Sequence, residues 1–407
     1  MEIFYFFATL ALLGLAAYVL QIWAVRSCLM RKESCSPQST IANQRLPEWH
    51  PVSILKPLKG LDDNLFDNLA SFCTLDYPQY EIIFSLQDWN DPAHKVARKI
   101  KDKYSDKDIS IIVERCNTGL NPKINNLLTA YKYSKYPYIL ISDSNVMVED
   151  GYLKAIFRYM QNSDVGLVSN VIRGVRSRSI GSILENLHMN SFIVGSVCFL
   201  DRFLKMPCVV GKSMLMKKSD LEEIGGFEAV KDVLAEDYVI GKKMQKRGKK
   251  VILSNHLINN VNEYWGLKKF INRHTRWGKL RWKLGGAKYF SELLGNPVFL
   301  SCLPLIFCEA TTAVLAFAII VSLIKIIGDF YIGRIINADL NPIFYTLSPL
   351  KDLIIGIFWF IPLFSNKIVW RGNKYIIGKD TILTEYKNNR DASWRVRFVS
   401  MIRERFA

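Results

Sequence analysis

The chain has 407 residues, is 50% hydrophobic and carries a formal net charge of +17. It is too apolar for an ordinary soluble enzyme and too charged for a transporter embedded throughout; a soluble domain of about 200–250 residues plus a few membrane spans fits. No basic arm or nucleic-acid recognition motif is present. The basic residues crowd instead beside apolar segments, where they would meet anionic headgroups, and a positive cleft also suits an anionic ligand. The eight cysteines lack metal-ligand spacing and read as reduced thiols.

Residues 3–25 run apolar for a bilayer's width. Glu2 precedes them and Arg26, Arg31 and Lys32 follow, the reverse of a cleaved signal peptide. The positive-inside rule then predicts a signal anchor over 1–28, its N-terminus outside and the domain that follows on the cytoplasmic face. Residues 29–50 read as a linker. Strands are expected at Val52–Lys56, Glu81–Gln87, Ile109–Glu114 and Tyr138–Ser142, with helices after Asp62, Pro92 and Pro122. That alternation argues for an α/β fold, a mostly parallel sheet flanked by helices over 51–261. Its functional residues should gather at the carboxyl ends of the strands.

The segment 262–290 holds Trp265, Lys268, Lys269 and Phe270 and reads as a basic, Trp-rich interfacial helix. Membrane segments, two or more, are expected over 291–366. Residues 297–327 are too long for one span and short for two, and a second apolar stretch covers 353–364. From Lys367 the tail has ten Lys or Arg against four Asp or Glu, so 367–407 should be cytoplasmic and the spans even in number.

Three acidic positions follow strands or open a helix: Asp88 with Asp91, Asp143, and Glu236-Asp237. Transfer of a sugar from a nucleotide needs a cation or fixed positive charge on the diphosphate and a carboxylate to accept a proton. Acidic residues after strands are also ordinary turn formers and caps, so no single one of these decides the function. A fourth element, Arg273 to Trp277, can fork onto phosphate oxygens and floor a sugar or acceptor. Val210-Gly211-Lys212-Ser213 fails as a P-loop, because its first Gly would fall at Met206. His188, His256 and His274 lack ligand spacing.

Taken together and in order, Val52–Gly60, Leu75–Pro78, Gln87-Asp88, Asn121–Leu127, Asp143-Ser144, Ala235–Tyr238 and Arg273–Trp277 resemble the ceramide glucosyltransferases of glycosyltransferase family 21. The resemblance covers about 52–285 and is weakest over 185–210. It implies a GT-A-like fold with N- and C-terminal transmembrane helices. The implied reaction is inverting transfer of glucose from UDP-glucose to ceramide; another lipid acceptor or UDP-sugar, or an inactive scaffold, stays open. By position it implies Asp237 as general base. Lys56, Asp88, Asp91, Lys123, Asp143 and Arg276 would bind the donor, and Glu236, Arg273 and Trp277 the acceptor. A divalent cation, Mg or Mn, would sit at Asp143; Asn145 replaces a second Asp there, one carboxylate fewer than a strict Asp-x-Asp site.

Overall fold

The computed structural model describes residues 2–31, 48–206, 208–307 and 310–386. Most of the expected linker and the tail beyond 386 lie outside the described residues. The main sheet contains β1 (Val52–Pro57), β2 (Tyr80–Leu86), β3 (Ile109–Val113), β4 (Tyr138–Ser142), β5 (Val146–Met147), β6 (Val165–Val175), β7 (Ser213–Lys217) and β8 (Lys250–Val261). Their spatial order is β3-β2-β1-β4-β7-β6-β8-β5.

Strands β1 to β4 are parallel, and β7 pairs antiparallel with both β4 and β6. These strands are apolar on both faces because both are covered. Along β1 and β2, Ile54 and Phe84 enter one apolar cluster while Leu55 and Ile83 enter another, as a period of two requires. The order reverses between β1 and β4, which opens a crevice at their carboxyl ends.

The helices at this edge start where their sequence says. Asp91 caps Pro92–Lys103 by accepting from the Ala93 amide, and Asn121 caps Pro122–Tyr133 by accepting from the Lys123 and Ile124 amides. Each cap contributes about 1 kcal/mol, and proline at the first helical turn lacks only a donor that would go unused.

Four helices are long and apolar enough to cross a membrane: Glu2–Leu29, Ile180–Leu204, Thr312–Ile335 and Pro342–Phe364. The Ile180–Leu204 segment carries two π-helical turns, Met189–Ile193 and Leu200–Leu204, and is largely buried within the protein. Glu2–Leu29 and Thr312–Ile335 run side by side in the same direction, since Phe4 meets Phe317 at one end and Arg26 meets Tyr331 at the other. Between them the chain returns along Pro297–Phe307, bent by 71° from Leu267–Gly295. Gly14 faces Leu294 and Pro297 so closely that a Cβ would lie 2.4 Å from the Leu294 carbonyl oxygen.

Pro342–Phe364 begins against the end of β6 and ends against the Leu267–Gly285 helix. Just before it, Arg173 donates to the Ile336 carbonyl at 2.9 Å and the Arg176 amide to Asp339 at 2.7 Å; just after it, Lys279 donates to the Lys367 carbonyl.

The beginning of the basic tail is not featureless. Residues Lys367–Trp370 (β9), Asn373–Ile377 (β10) and Leu383–Glu385 (β11) form an antiparallel sheet. Arg371 and Gly372 turn β9 into β10 with φ of 49° and 86°, the pattern of a type I′ hairpin. The Leu234 amide donates to Thr381 O and the Leu383 amide to Asp232 O, and Leu234 packs with Ile368, Tyr375, Ile377 and Leu383. The last sheet is thereby fastened to the segment just before Glu236.

Candidate active site

The segment Asn121–Leu127 shows why its residues stand as they do. Asn121 caps the helix while its amide nitrogen donates to Val233 O at 2.7 Å. Asn125 closes the preceding loop by exchanging two hydrogen bonds with Gly119, and Asn126 donates to Leu58 O. With its backbone fixed on three sides, the helix start projects Lys123 over the crevice.

Lys123 is the hub. Its ammonium lies 3.0 Å from Asp143 Oδ1, 3.0 Å from Glu236 Oε1 and 2.8 Å from Gly211 O. Lys212 approaches Asp143 from the other side, 3.0 Å from Oδ2, and donates to Asn145 Oδ1 at 2.6 Å. Burial alone would raise the Asp143 pKa; the two ammonium groups outweigh it and hold the carboxyl ionised below the usual range. The same contacts raise Lys123 above the ordinary lysine value despite its burial. Burial wins at Lys212, whose pKa is lowered although Asp143 opposes the change.

Asp237 stands beside this cluster. Its Oδ2 accepts from the Gly211 amide and its Oδ1 from the Tyr238 amide, both at 2.8 Å. Burial, and then the charge of Glu236, raise its pKa to about 6, against the pull of Lys123 and the two amides. A Cβ at position 211 would lie 2.6 Å from Asp237 Oδ2, so only glycine lets the backbone approach this carboxylate.

The other expected site residues divide. Asp88 lines an open cleft of about 1240 Å³ that also touches Lys59, Arg115, Asn125 and Tyr375. Asp91 reaches the same cleft, but its carboxylate is occupied by the Ala93 amide and by the Gly60 amide at 2.9 Å, so it holds the loop after β1. Lys56 is fully buried, donating to Ser142 Oγ and Asp143 O and lying 3.5 Å from the Phe72 ring centre. Burial pushes its pKa far down. It supports the strand ends from beneath and does not face the cleft.

Arg273 is spent inside the fold, 3.0 Å from Glu185 and stacked between Trp265 and Trp277. His274 shares the same carboxylate at 2.7 Å and sets its ring 4.5 Å from that of His188. Two of the three histidines expected to be isolated are thus neighbours. Trp277 packs, partly buried, against the sheet core.

Arg276 differs from Arg273. It makes no hydrogen bond or ion pair among the described residues, faces the Trp370 ring at 5.8 Å, and has Arg273 and Arg371, of its own sign, and the carboxylates Glu185 and Glu236 as charged neighbours.

The divalent cation expected at Asp143 does not fit these residues. Both Asp143 oxygens are engaged by lysine ammonium groups and Asn145 Oδ1 by Lys212. Among the described residues no group of three His, Cys, Asp or Glu is placed to hold a metal. Sequence reasoning, which reads Val-Gly-Lys-Ser only as a failed P-loop, misses Lys212 and Gly211; the signal is a glycine and a lysine in the turn that opens β7.

Carboxylates and lysines thus gather at the carboxyl edge of a mixed sheet, where α/β enzymes bind their ligands. The family model for glycosyl transferase family 21 matches residues 6–383, and the chain belongs to that family. It is 34% identical over 241 residues to ceramide glucosyltransferase 1 of Caenorhabditis elegans, covering 58% of this chain and 50% of that protein. Its identity to ceramide glucosyltransferase of Komagataella phaffii is 31% over 197 residues, 43% of this chain and 39% of that protein. The match thus spans about half the length of the nematode relative. Among solved structures it is similar to a mannosyltransferase of Pyrobaculum calidifontis in complex with GDP-Man and Mn2+. The TM-score is 0.46 at 15% identity, over 86% of this chain and 98% of that one.

Proposed function

We propose that the chain transfers glucose from UDP-glucose to the primary hydroxyl of ceramide, with inversion, at the cytoplasmic face of a membrane. The observation that carries the reading is the convergence of Asp143, Lys123, Lys212, Glu236 and Asp237 within one hydrogen-bonded cluster. Family membership and the names of the relatives support ceramide as acceptor; the basic residues following Glu2–Leu29 support the cytoplasmic placement.

In this reading Asp237 accepts the proton of the lipid hydroxyl as its oxygen forms a bond to C1 of the sugar. The bond from C1 to the phosphate oxygen breaks on the opposite face, so one displacement inverts the centre and UDP leaves. A carboxylate with a pKa near 6 suits this task, being ionised near neutrality yet more basic than an ordinary aspartate. The growing charge on the diphosphate meets fixed cations, Lys123, Lys212 and Arg276, in a partly dry crevice where they act strongly. No step is assigned to a metal, since the residues that would hold one are already paired with lysines.

Purified chain in lipid nanodiscs, given ceramide and UDP-glucose, should produce a β-linked glucosylceramide identifiable by mass spectrometry and NMR. A panel of other UDP-sugars and of diacylglycerol or hopanoid acceptors should react more slowly. Faster turnover of any of these, or UDP release without a lipid product, would replace the reading.

A further inference from the structure

The start of the basic tail forms a wall of the donor cleft. Its strands are fastened to Asp232–Ala235, immediately before Glu236 and Asp237, by the Leu234, Leu383 and Ala235 amide bonds. Its hairpin tip reaches the opposite wall. There Arg371 donates to Lys59 O at 3.0 Å and to Asp62 Oδ2 at 3.4 Å, and Asp62 also accepts from Ser144 Oγ, next to Asp143. The tip therefore spans the two sides of the site.

The charges at the tip are unbalanced. Arg276 makes no hydrogen bond or ion pair among the described residues, Arg371 is its like-charged neighbour while Glu185 and Glu236 oppose it more weakly, and the one carboxylate bonded to Arg371 among those residues stands at 3.4 Å, long for a charge-assisted bond. The arginine also occupies a turn position with φ of 49°, in the left-handed region that disfavours residues other than glycine. From that turn its side chain reaches the Lys59 carbonyl and the Asp62 carboxylate.

We infer that Arg371 is a donor-binding residue: together with Arg276 it grips the diphosphate of the nucleotide sugar, while Trp370 holds the Arg276 plane at the correct angle. Asp62 is the resting counter-ion, which the more highly charged diphosphate displaces. The inference rests on the reading of the donor as a nucleoside diphosphate sugar.

The test is calorimetric binding of UDP, UMP and uridine to the full chain in nanodiscs. Arg371→Gln should weaken UDP about tenfold, as expected for one lost charge-assisted fork, weaken UMP less and leave uridine unchanged. Arg371→Lys should fall between, Trp370→Ala should weaken UDP similarly, and Trp370→Phe should restore it. Wild-type UDP affinity in Arg371→Gln, or equal losses for UDP and uridine, would overturn the assignment. If Arg371→Gln fails to fold, the Arg371→Lys and Trp370 pair decide by the same phosphate-graded criterion. A wild-type chain that binds neither UDP nor uridine overturns the donor reading instead.

Discussion

The division of labour between Asp143 and Asp237 arises from their surroundings. Asp143 has an ammonium on each oxygen and stays ionised; Asp237 has only backbone amides on its oxygens and a carboxylate beside it, and titrates near 6. Because the deprotonated form accepts the proton, kcat/KM should rise as pH increases through about 6 and level off above it. Asp237→Asn should lower kcat by a factor of about 10³ with UDP affinity little changed; near-normal turnover would remove it as base. Lys212→Met should lower kcat by a factor of about 10², the usual loss for one preorganised charge donor. In the wild type, chelator should change the rate less than twofold, and strong inhibition by chelator would return the leaving group to a metal. Gly211→Ala should damage both Asp237 and Lys123, whose partners are the amide and carbonyl of that one residue.

At the scale of elements, the apolar helices are joined by buried charge. Lys325, Asp329, Lys351 and Asp352 form a closed set of two cations and two anions, with Lys351 2.9 Å from Asp352 and 3.4 Å from Asp329. Tyr18 donates to Asp329 at 2.6 Å and Lys351 to Ser191 at 3.2 Å. Three helices and the Ile180–Leu204 segment meet there. Removing one member leaves an uncompensated buried charge, at a cost of about 3–5 kcal/mol. Lys351→Met should therefore lower the thermal transition measured in detergent far more than loss of an exposed pair such as Lys250–Asp164. Double replacement of Lys351 and Asp352 by apolar residues should recover part of the loss; no recovery would argue against a charge-balance origin.

Across the whole molecule, what could be read from sequence follows from how local the causes are. Strands β1 to β4 were legible because each is a short, mostly apolar run between turn residues, and the Asn121-Pro122 and Asp91-Pro92 helix starts carry their capping side chains directly before the proline. The inward turn of Arg273 was hidden, since its partner Glu185 lies far away along the chain on the Ile180–His188 helix. Lys212 was hidden for the same reason, its target Asp143 sitting at the end of another strand. Strands β9 to β11 are short, carry lysine, asparagine and glutamate, and have no period of two strong enough to show. They exist because Leu234 and the backbone of Asp232 receive them.

The attachment of β11 to Asp232 and Leu234 also sets an order of events during synthesis. The segment that completes the wall beside Glu236 leaves the ribosome only after Pro297–Phe307 and Thr312–Ile335 have been made. A nascent chain that has made those helices but not yet the hairpin lacks one side of the crevice.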